Sequence, residues 1–192
     1  RTGSSRFPRK VLADLHGRPI LAHVVERARQ IRGATTVVVA PPVKRADDPI
    51  TAVCGSLGVP CFLGSEDDVL DRYYRCAQAF LADPIIRITA DCPLLNPDVS
   101  SAVLKAYLYG GYIYVSNVGV GTDGWDTEVF SCGGLGRAWR RATAPEDREH
   151  VTPWMARNAG DLSLTTFTAT IPGNAKWSVD TPEDLERVRL VV

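Results

Sequence analysis

No stretch of this 192-residue chain approaches the ~20 consecutive apolar residues that a membrane-spanning helix needs. No basic, apolar and small-residue leader opens it either, so no membrane partner is expected. An excess of charge of one sign is also missing. Twenty-two basic residues balance twenty-two acidic ones, which leaves no electrostatic footprint for a nucleic acid and favours a small-molecule partner. Paired cysteines are missing as well. Cys54, Cys61, Cys76, Cys92 and Cys132 are odd in number, scattered, and without a CxxC pair or a histidine at zinc-ligand spacing. They read as reduced thiols of a cytoplasmic protein. Two nucleotide-binding signatures do not occur. Lys10 follows Arg9 rather than the glycine of a GxxxxGK[ST] loop, and no GxGxxG follows a strand. That argues against a P-loop NTPase and against a dinucleotide-binding oxidoreductase. Repeats, low-complexity tracts and convincing linkers are absent too, so residues 1–192 are expected to form one domain.

What is present is a 45% apolar composition, enough to build a core, and a basic opening. "RTGSSRFPRK" runs without a linker into a segment whose apolar residues recur at helical spacing through Ile20, Val24, Val25, Ala28 and Ile31. Glycine and serine in a loop leading to a helix can turn backbone N–H groups onto an anion, and Arg1, Arg6 and Lys10 would neutralise its charge. The opening therefore suits a polyphosphate, where a basic terminus is more commonly a solvated tail.

Beyond it, helix and strand alternate. "TTVVVA" at 35–40 predicts a strand buried on both faces, "DPITAVCGSLG" a helix closed by Gly58, and "PCFLG" a further strand. "SEDDVLDRYYRCAQAFLA" predicts a helix opened by Ser65 and acidic residues, with Val69, Leu70, Tyr73, Ala77 and Phe80 facing inward and Arg72 solvated. "IIRITADCPLL" predicts a strand over 85–89 that runs into a polar loop. This rhythm implies a parallel sheet with right-handed crossovers. The second half supplies strand-like "YIYVSN" and "DTEVFS", helical segments within "GGLGRAWRRATAPEDREHVTPWMARN", and "LSLTTFTAT", whose alternation predicts an antiparallel strand. In "WSVDTPEDL", Thr181 and Pro182 mark a helix start.

Ligands of such sheets sit beyond the carboxyl ends of the strands. Asp91 follows "IIRIT" and Asp180 follows "WSV", so both carboxylates can enter one crevice within reach of a single Mg²⁺, which takes one or two protein carboxylates and leaves its remaining positions to water and phosphate. The competing reading makes each an ordinary helix cap. Cys92 has no histidine partner that would make it a nucleophile, and His16 and His23 read as structural or surface residues.

"RTGSSRFPRKVL", "GSEDDVLDRYYRCA", "IIRITADCPLL", "DGWDTEVFS", "EDREHVTP" and "VDTPEDLERVR" resemble, in order, the signature segments of cytidylyltransferases that activate acidic sugars, the spore-coat polysaccharide branch in particular; similar enzymes make CMP-neuraminate and CMP-KDO. The resemblance covers nearly the whole chain. It implies a Rossmann-like, GT-A nucleotidyltransferase α/β fold, mainly a parallel sheet flanked by helices, with a small antiparallel substrate-side region. It also implies CTP as substrate, Mg²⁺ as cofactor and a homodimer. Carried over by residue, the phosphate loop falls on Arg1, Gly3, Ser4, Arg6 and Lys10, and the cytidine frame on Arg87, Thr89 and Ala90. Asp91 and Asp180 become the metal carboxylates, and Arg6, Lys10, Asp91 and Asp180 the catalytic set. Acceptor recognition falls on Asn117, Asp126, Glu128, Arg148, Glu149 and His150. The expected chemistry is in-line attack of an acidic acceptor on the α-phosphorus of CTP; the alternative is an inactive nucleotide-binding regulatory module of the same fold. Three departures stand out. Arg9 replaces the family's usual glycine, the loop before "DGWD" is shorter and lacks its proline, and the strand that normally precedes the first motif is not part of the chain.

Overall fold

Helical spacing produces the first long helix where it is expected. A computed structural model describes residues 7–43, 49–158, 164–166 and 175–192. In it α1 (Ile20–Ala28) turns Ile20, Leu21, Val24, Val25 and Ala28 inward, with Pro19 at its N-cap. A two-residue hairpin leads into it, β1 (Asp14–Leu15) against β2 (Arg18–Pro19), through His16 and Gly17 at φ 52° and 79°. Both central residues at positive φ make the tight turn whose twist suits paired strands. His16 Nε2 donates to Arg189 O (3.0 Å) and His23 Nε2 to Leu15 O (2.9 Å), so both are structural.

α2 (Pro49–Ser56) is followed by Gly58 at φ 57°. α3 (Val69–Ala79) is capped by Asp68, whose carboxylate accepts from Asp71 N at 2.8 Å. Ser65 stands one turn earlier and accepts from Asp68 N (3.0 Å), so it orders the cap rather than forming it. On this helix Arg72 is buried at 6% exposure instead of solvated, while Tyr73 is only half-buried. The cause is local. The Arg72 stem passes over Gly64, where a Cβ would come within 2.6 Å of it, and its guanidinium donates to Ser65 O.

The main sheet has the order β3 (Ile85–Arg87), β5 (Glu128–Phe130), β4 (Tyr114–Ser116), β6 (Leu164–Thr166). β5 runs antiparallel to both of its neighbours, and β6 pairs parallel with β4. The antiparallel element is therefore built into the sheet between β3 and β4. Leu164–Thr166 corrects the antiparallel expectation for "LSLTTFTAT", whose other residues, apart from these three, lie outside the described ones. Alternation reports a half-buried face and says nothing of a partner's direction; here the chain leaves β5 and returns through α5 (Cys132–Arg141), α6 (Pro145–His150) and α7 (Pro153–Arg157) to run beside β4.

Residues 37–43 and 60–64 also run parallel, but through the isolated bridges Val39–Cys61 and Pro42–Gly64. Thr35 and Thr36 are exposed and 37–40 half-buried, so the expected doubly buried strand is not formed among the described residues. Pro41, Pro42 and Pro60 have no N–H to extend a ladder. One face of the main sheet packs Tyr114 and Phe130 against Leu70, Leu135 and Met155. The other packs Val115 and Val129 against Val103 and Leu104 of α4 (Pro97–Gly110). Among the described residues, the segment before the last helix makes a single parallel bridge, Lys176 to Asp123. Trp177 N donates to Asp123 O (2.8 Å) and Val179 N to Asp91 O (2.9 Å), and α8 (Pro182–Arg189) follows with a capping box between Thr181 and Asp184.

Candidate active site

Three segments converge where β3 ends: the turn at 89–92, the segment 176–180, and the short 3-10 turn Lys10–Leu12. The Val179 to Asp91 hydrogen bond ties the first two backbones together, which places Asp180 beside Asp91. Lys10 closes the group. Its ammonium lies 2.6 Å from Asp91 Oδ2 and 2.8 Å from Asp180 Oδ1. Two carboxylates that share one nitrogen at those distances lie within reach of a single small cation. Lys176 adds a second ammonium 3.2 Å from Asp180 and 2.7 Å from Asp184. Sequence reasoning passed over Lys176; its place four residues before Asp180 and next to "WSVD" was the available signal.

The cluster is electrostatically tight. Burial lowers the pKa of Lys10, but hydrogen bonds to Asp180 and Asp91 outweigh it and the net shift is upward. The hydrogen bond from Lys10 holds the Asp180 carboxyl below its usual range, against some burial and with help from Lys176. Lys10 itself is 9% exposed, an uncommon place for an ammonium without partners.

Arg87 sits elsewhere than a free cytidine-framing side chain would. It pairs with Glu128 across the β3–β5 register, and Tyr114 Oη donates to Glu128 at 2.7 Å. The guanidinium also lies 5.8 Å over the Tyr73 ring. Thr89 contacts the Cys92 sulfur at 3.1 Å, and burial, then the Asp91 charge, push the Cys92 thiol far up, so it is inert packing. Ala90 packs against the cluster of Val11, Leu21 and Val25.

Of the acceptor-side residues, Asn117 and Asp126 lie in the β4–β5 connection and Glu128 opens β5. Asn117 is buried and spends both ends of its amide there, accepting from Thr127 N (2.7 Å) and donating to Trp125 O (3.1 Å). Asp126 is half-buried and has no cation partner among the described residues. Burial raises its pKa, and the charges of Asp123 and Glu128 add to that, against the hydrogen bond from Gly124 N. Arg148 lies on α6 and is held by Asp68 and by Trp139 O (2.7 Å), with Glu149 half-buried and His150 exposed beside it. Trp125 and Trp177, which the sequence did not single out, line a shallow cavity of about 280 Å³ together with Arg27 and Asn96. Arg1, Gly3, Ser4 and Arg6 lie outside the described residues.

A parallel-leaning α/β sheet with one reversed strand, and a lysine with two aspartates gathered at its carboxyl edge, define a nucleotidyltransferase of Rossmann-like fold. A solved cytidylyltransferase from Leptospira borgpetersenii superposes with a TM-score of 0.92 at 27% identity, covering 98% of this chain and 82% of that one. A cytidylyltransferase family model matches residues 1–188, and the chain belongs to that family of CTP-dependent nucleotidyltransferases. Among its relatives, an uncharacterized protein of Methanocaldococcus jannaschii is 39% identical over 158 residues, 82% of this chain and 65% of the relative, so the chain spans just under two thirds of that protein. The spore coat polysaccharide biosynthesis protein SpsF of Bacillus subtilis is 31% identical, over 98% of this chain and 82% of its own. A 3-deoxy-manno-octulosonate cytidylyltransferase of Anaeromyxobacter sp. (strain K) is 30% identical over 100% and 94%.

Proposed function

We propose that this chain transfers CMP from CTP to a small acidic acceptor, an acid sugar or phosphonate, with release of pyrophosphate. The observation that carries the reading is the Lys10 ammonium held between Asp91 and Asp180. Both flanking groups are hard carboxylate oxygens turned to one point, a donor set that fits Mg²⁺, and Asp91 and Asp180 would be the residues that hold it. Bound there, the ion would neutralise phosphate charge and make the α-phosphorus more electrophilic.

The chain's own residues supply the rest. Lys10, with Arg6 of the opening loop, would balance negative charge on the triphosphate and on the departing pyrophosphate. Asp184 accepts from Asp180 N (2.9 Å) and so fixes the direction of the Asp180 side chain. An acceptor oxygen attacks the phosphorus in line as the bond to the pyrophosphate oxygen breaks, and no protein nucleophile is required. Thr89 and Ala90 would frame the cytidine. Asp126, which has no cation partner among the described residues, can take a hydrogen bond from an acceptor hydroxyl. The resemblance to acid-sugar-activating enzymes supports the acidic acceptor and a homodimer, the absence of a linker supports a single domain, and the scattered free cysteines support a cytoplasmic location.

Pyrophosphate release tests the reading, with CTP, UTP, ATP and GTP offered against a panel of acidic sugars and phosphonates. CTP is expected to be preferred, and Asp91→Asn or Asp180→Asn to lower turnover by at least about a hundredfold, the scale on which lost charge stabilisation acts. Equal use of ATP, or normal turnover in Asp180→Asn, would reject it. Binding of CTP without release under every condition would favour the regulatory-module alternative.

A further inference from the structure

We infer that Lys10 is a resident counter-cation which makes the Asp91/Asp180 site selective for a divalent ion arriving with a polyphosphate, over the same ion alone. The inference rests on the proposed metal role of the two aspartates and concerns what Lys10 does before they are used.

The ammonium sits between the two carboxylates, at 2.6 and 2.8 Å, where it takes up one oxygen of each. Lys176 stands 3.2 Å from Asp180 and 2.7 Å from Asp184, which Arg187 also binds, so Lys10, Lys176 and Arg187 already balance Asp91, Asp180 and Asp184. A bare divalent cation entering this group would meet carboxylates that are already paired, and would have to expel an ammonium or sit beside one. Expelling it is costly, because the Lys10 side chain is 11% exposed and a buried charge that loses its partners is strongly disfavoured. A polyphosphate removes that obstacle. Its oxygens offer the ammonium a new set of acceptors within the same pocket, so the lysine can turn from carboxylates to phosphate as the ion takes its place. Metal and triphosphate then bind with positive coupling, and each raises the affinity for the other by the same factor. The backbone at this point supports a poised side chain. Lys10 opens a single 3-10 turn, with Arg9 before it in the left-handed region at φ 58°, so the ammonium is aimed by a short, stiff turn and not by a long helix.

The test reads metal binding directly, with Mn²⁺ as probe, by electron paramagnetic resonance and by thermal shift. The wild-type protein is expected to bind Mn²⁺ alone weakly, and more tightly when CTP or inorganic triphosphate is present. Lys10→Met removes the competing charge and is expected to bind Mn²⁺ alone tighter than wild type by about tenfold or more, as the loss of an adjacent positive charge implies. Lys10→Gln keeps a hydrogen-bond donor to the carboxylates, provides a second folded variant, and is expected to do the same. In both, Mn²⁺ alone should raise the melting temperature more than in wild type. Folded Lys10→Met or Lys10→Gln that binds free Mn²⁺ no tighter than wild type overturns the inference while the metal role of the aspartates stands, provided wild type still binds Mn²⁺ with CTP. No Mn²⁺ binding by wild type with CTP or by either variant overturns the metal role itself and the inference with it.

Discussion

Arg9 carries the backbone angle that glycine carries at no steric cost: φ 58° and ψ 22°, the left-handed region. There a side chain costs roughly 1–2 kcal/mol, because its Cβ crowds the following carbonyl oxygen. The glycine that the resemblance leads one to expect here would have a physical reason, and Arg9 holds the same angle at a cost in strain. Arg9→Gly is expected to stabilise the protein by up to ~1 kcal/mol after the extra unfolded-state entropy of glycine is subtracted, a rise of ~2–4 °C in melting temperature. Calorimetry checks this, and a fall in melting temperature would mean that the Arg9 side chain makes stabilising contacts that outweigh its strain.

At the scale of elements, the site depends on how closely two loops approach. Gly124 has φ 95°, and a Cβ on it would lie 2.6 Å from Ser178 N and 2.7 Å from Trp177 C, both backbone atoms that cannot swing aside. The segment 176–180 is held on one side by this contact, by Trp177 N to Asp123 O (2.8 Å) and by Ser178 Oγ to Asp123 Oδ2 (3.0 Å). Gly124→Ala is expected to push the segment outward, lowering stability by ~1–3 kcal/mol through strain and moving Asp180 away from Lys10. Binding calorimetry with CTP and Mg²⁺ on the folded variant should show weaker binding than wild type, whereas Gly119→Ala, at an open turn with φ 75° and nothing near its Cβ, should lose stability alone. Equal CTP affinity in Gly124→Ala and wild type would show that the 176–180 segment is positioned by α8 instead.

Over the whole molecule, the first and last elements meet through an apolar cluster of Leu15, Ile20 and Val24 with Val179, Leu185 and Val188, and through the Lys10–Asp180 ion pair beside Asp184, whose pH range follows from the shifts. Burial raises the pKa of Asp184, but hydrogen bonds from Lys176, Asp180 N and Arg187 outweigh it, and its folded-state value falls well below the ordinary 3.8. Asp180 is lowered as well. A carboxyl with a depressed folded pKa contributes stability above its unfolded value and loses it as pH falls through the folded one. Lys10 and Lys176, raised above 10.5, contribute below that value and lose it as pH rises through the folded one. The ion pairs therefore contribute in full between about pH 4 and 10, and that contribution declines on either side as pH moves toward the folded-state values. Urea unfolding of wild type should show stability dropping as pH falls below ~4, and Asp184→Asn should flatten that drop while lowering stability at pH 7 by roughly 1–3 kcal/mol, the scale for lost hydrogen bonds to a charged group whose cation partners are part-exposed. An unchanged acid slope in Asp184→Asn would remove Asp184 as its source.

Local chemistry was enough to locate several parts of this protein. The amphipathic spacing from Ile20 to Ala28 set α1, and Thr181-Pro182 with Asp184 three residues after the cap set the start of α8, because caps and periodicity act within one or two turns. Lys10 in a basic loop, Asp91 after an apolar run and Asp180 before a helix were each visible for the same reason. Their places at strand ends also brought Asp91 and Asp180 to one crevice, but the Lys10 ammonium lodged between them was not legible, since Lys10 and Asp180 are 170 residues apart and an ion pair at that separation depends on how the whole chain returns on itself. The direction of β6, the buried course of Arg72 over Gly64, and the engagement of Arg148 with Asp68 belong to the same class. Each depends on a partner that no local propensity names, and only packing against the other elements selected it.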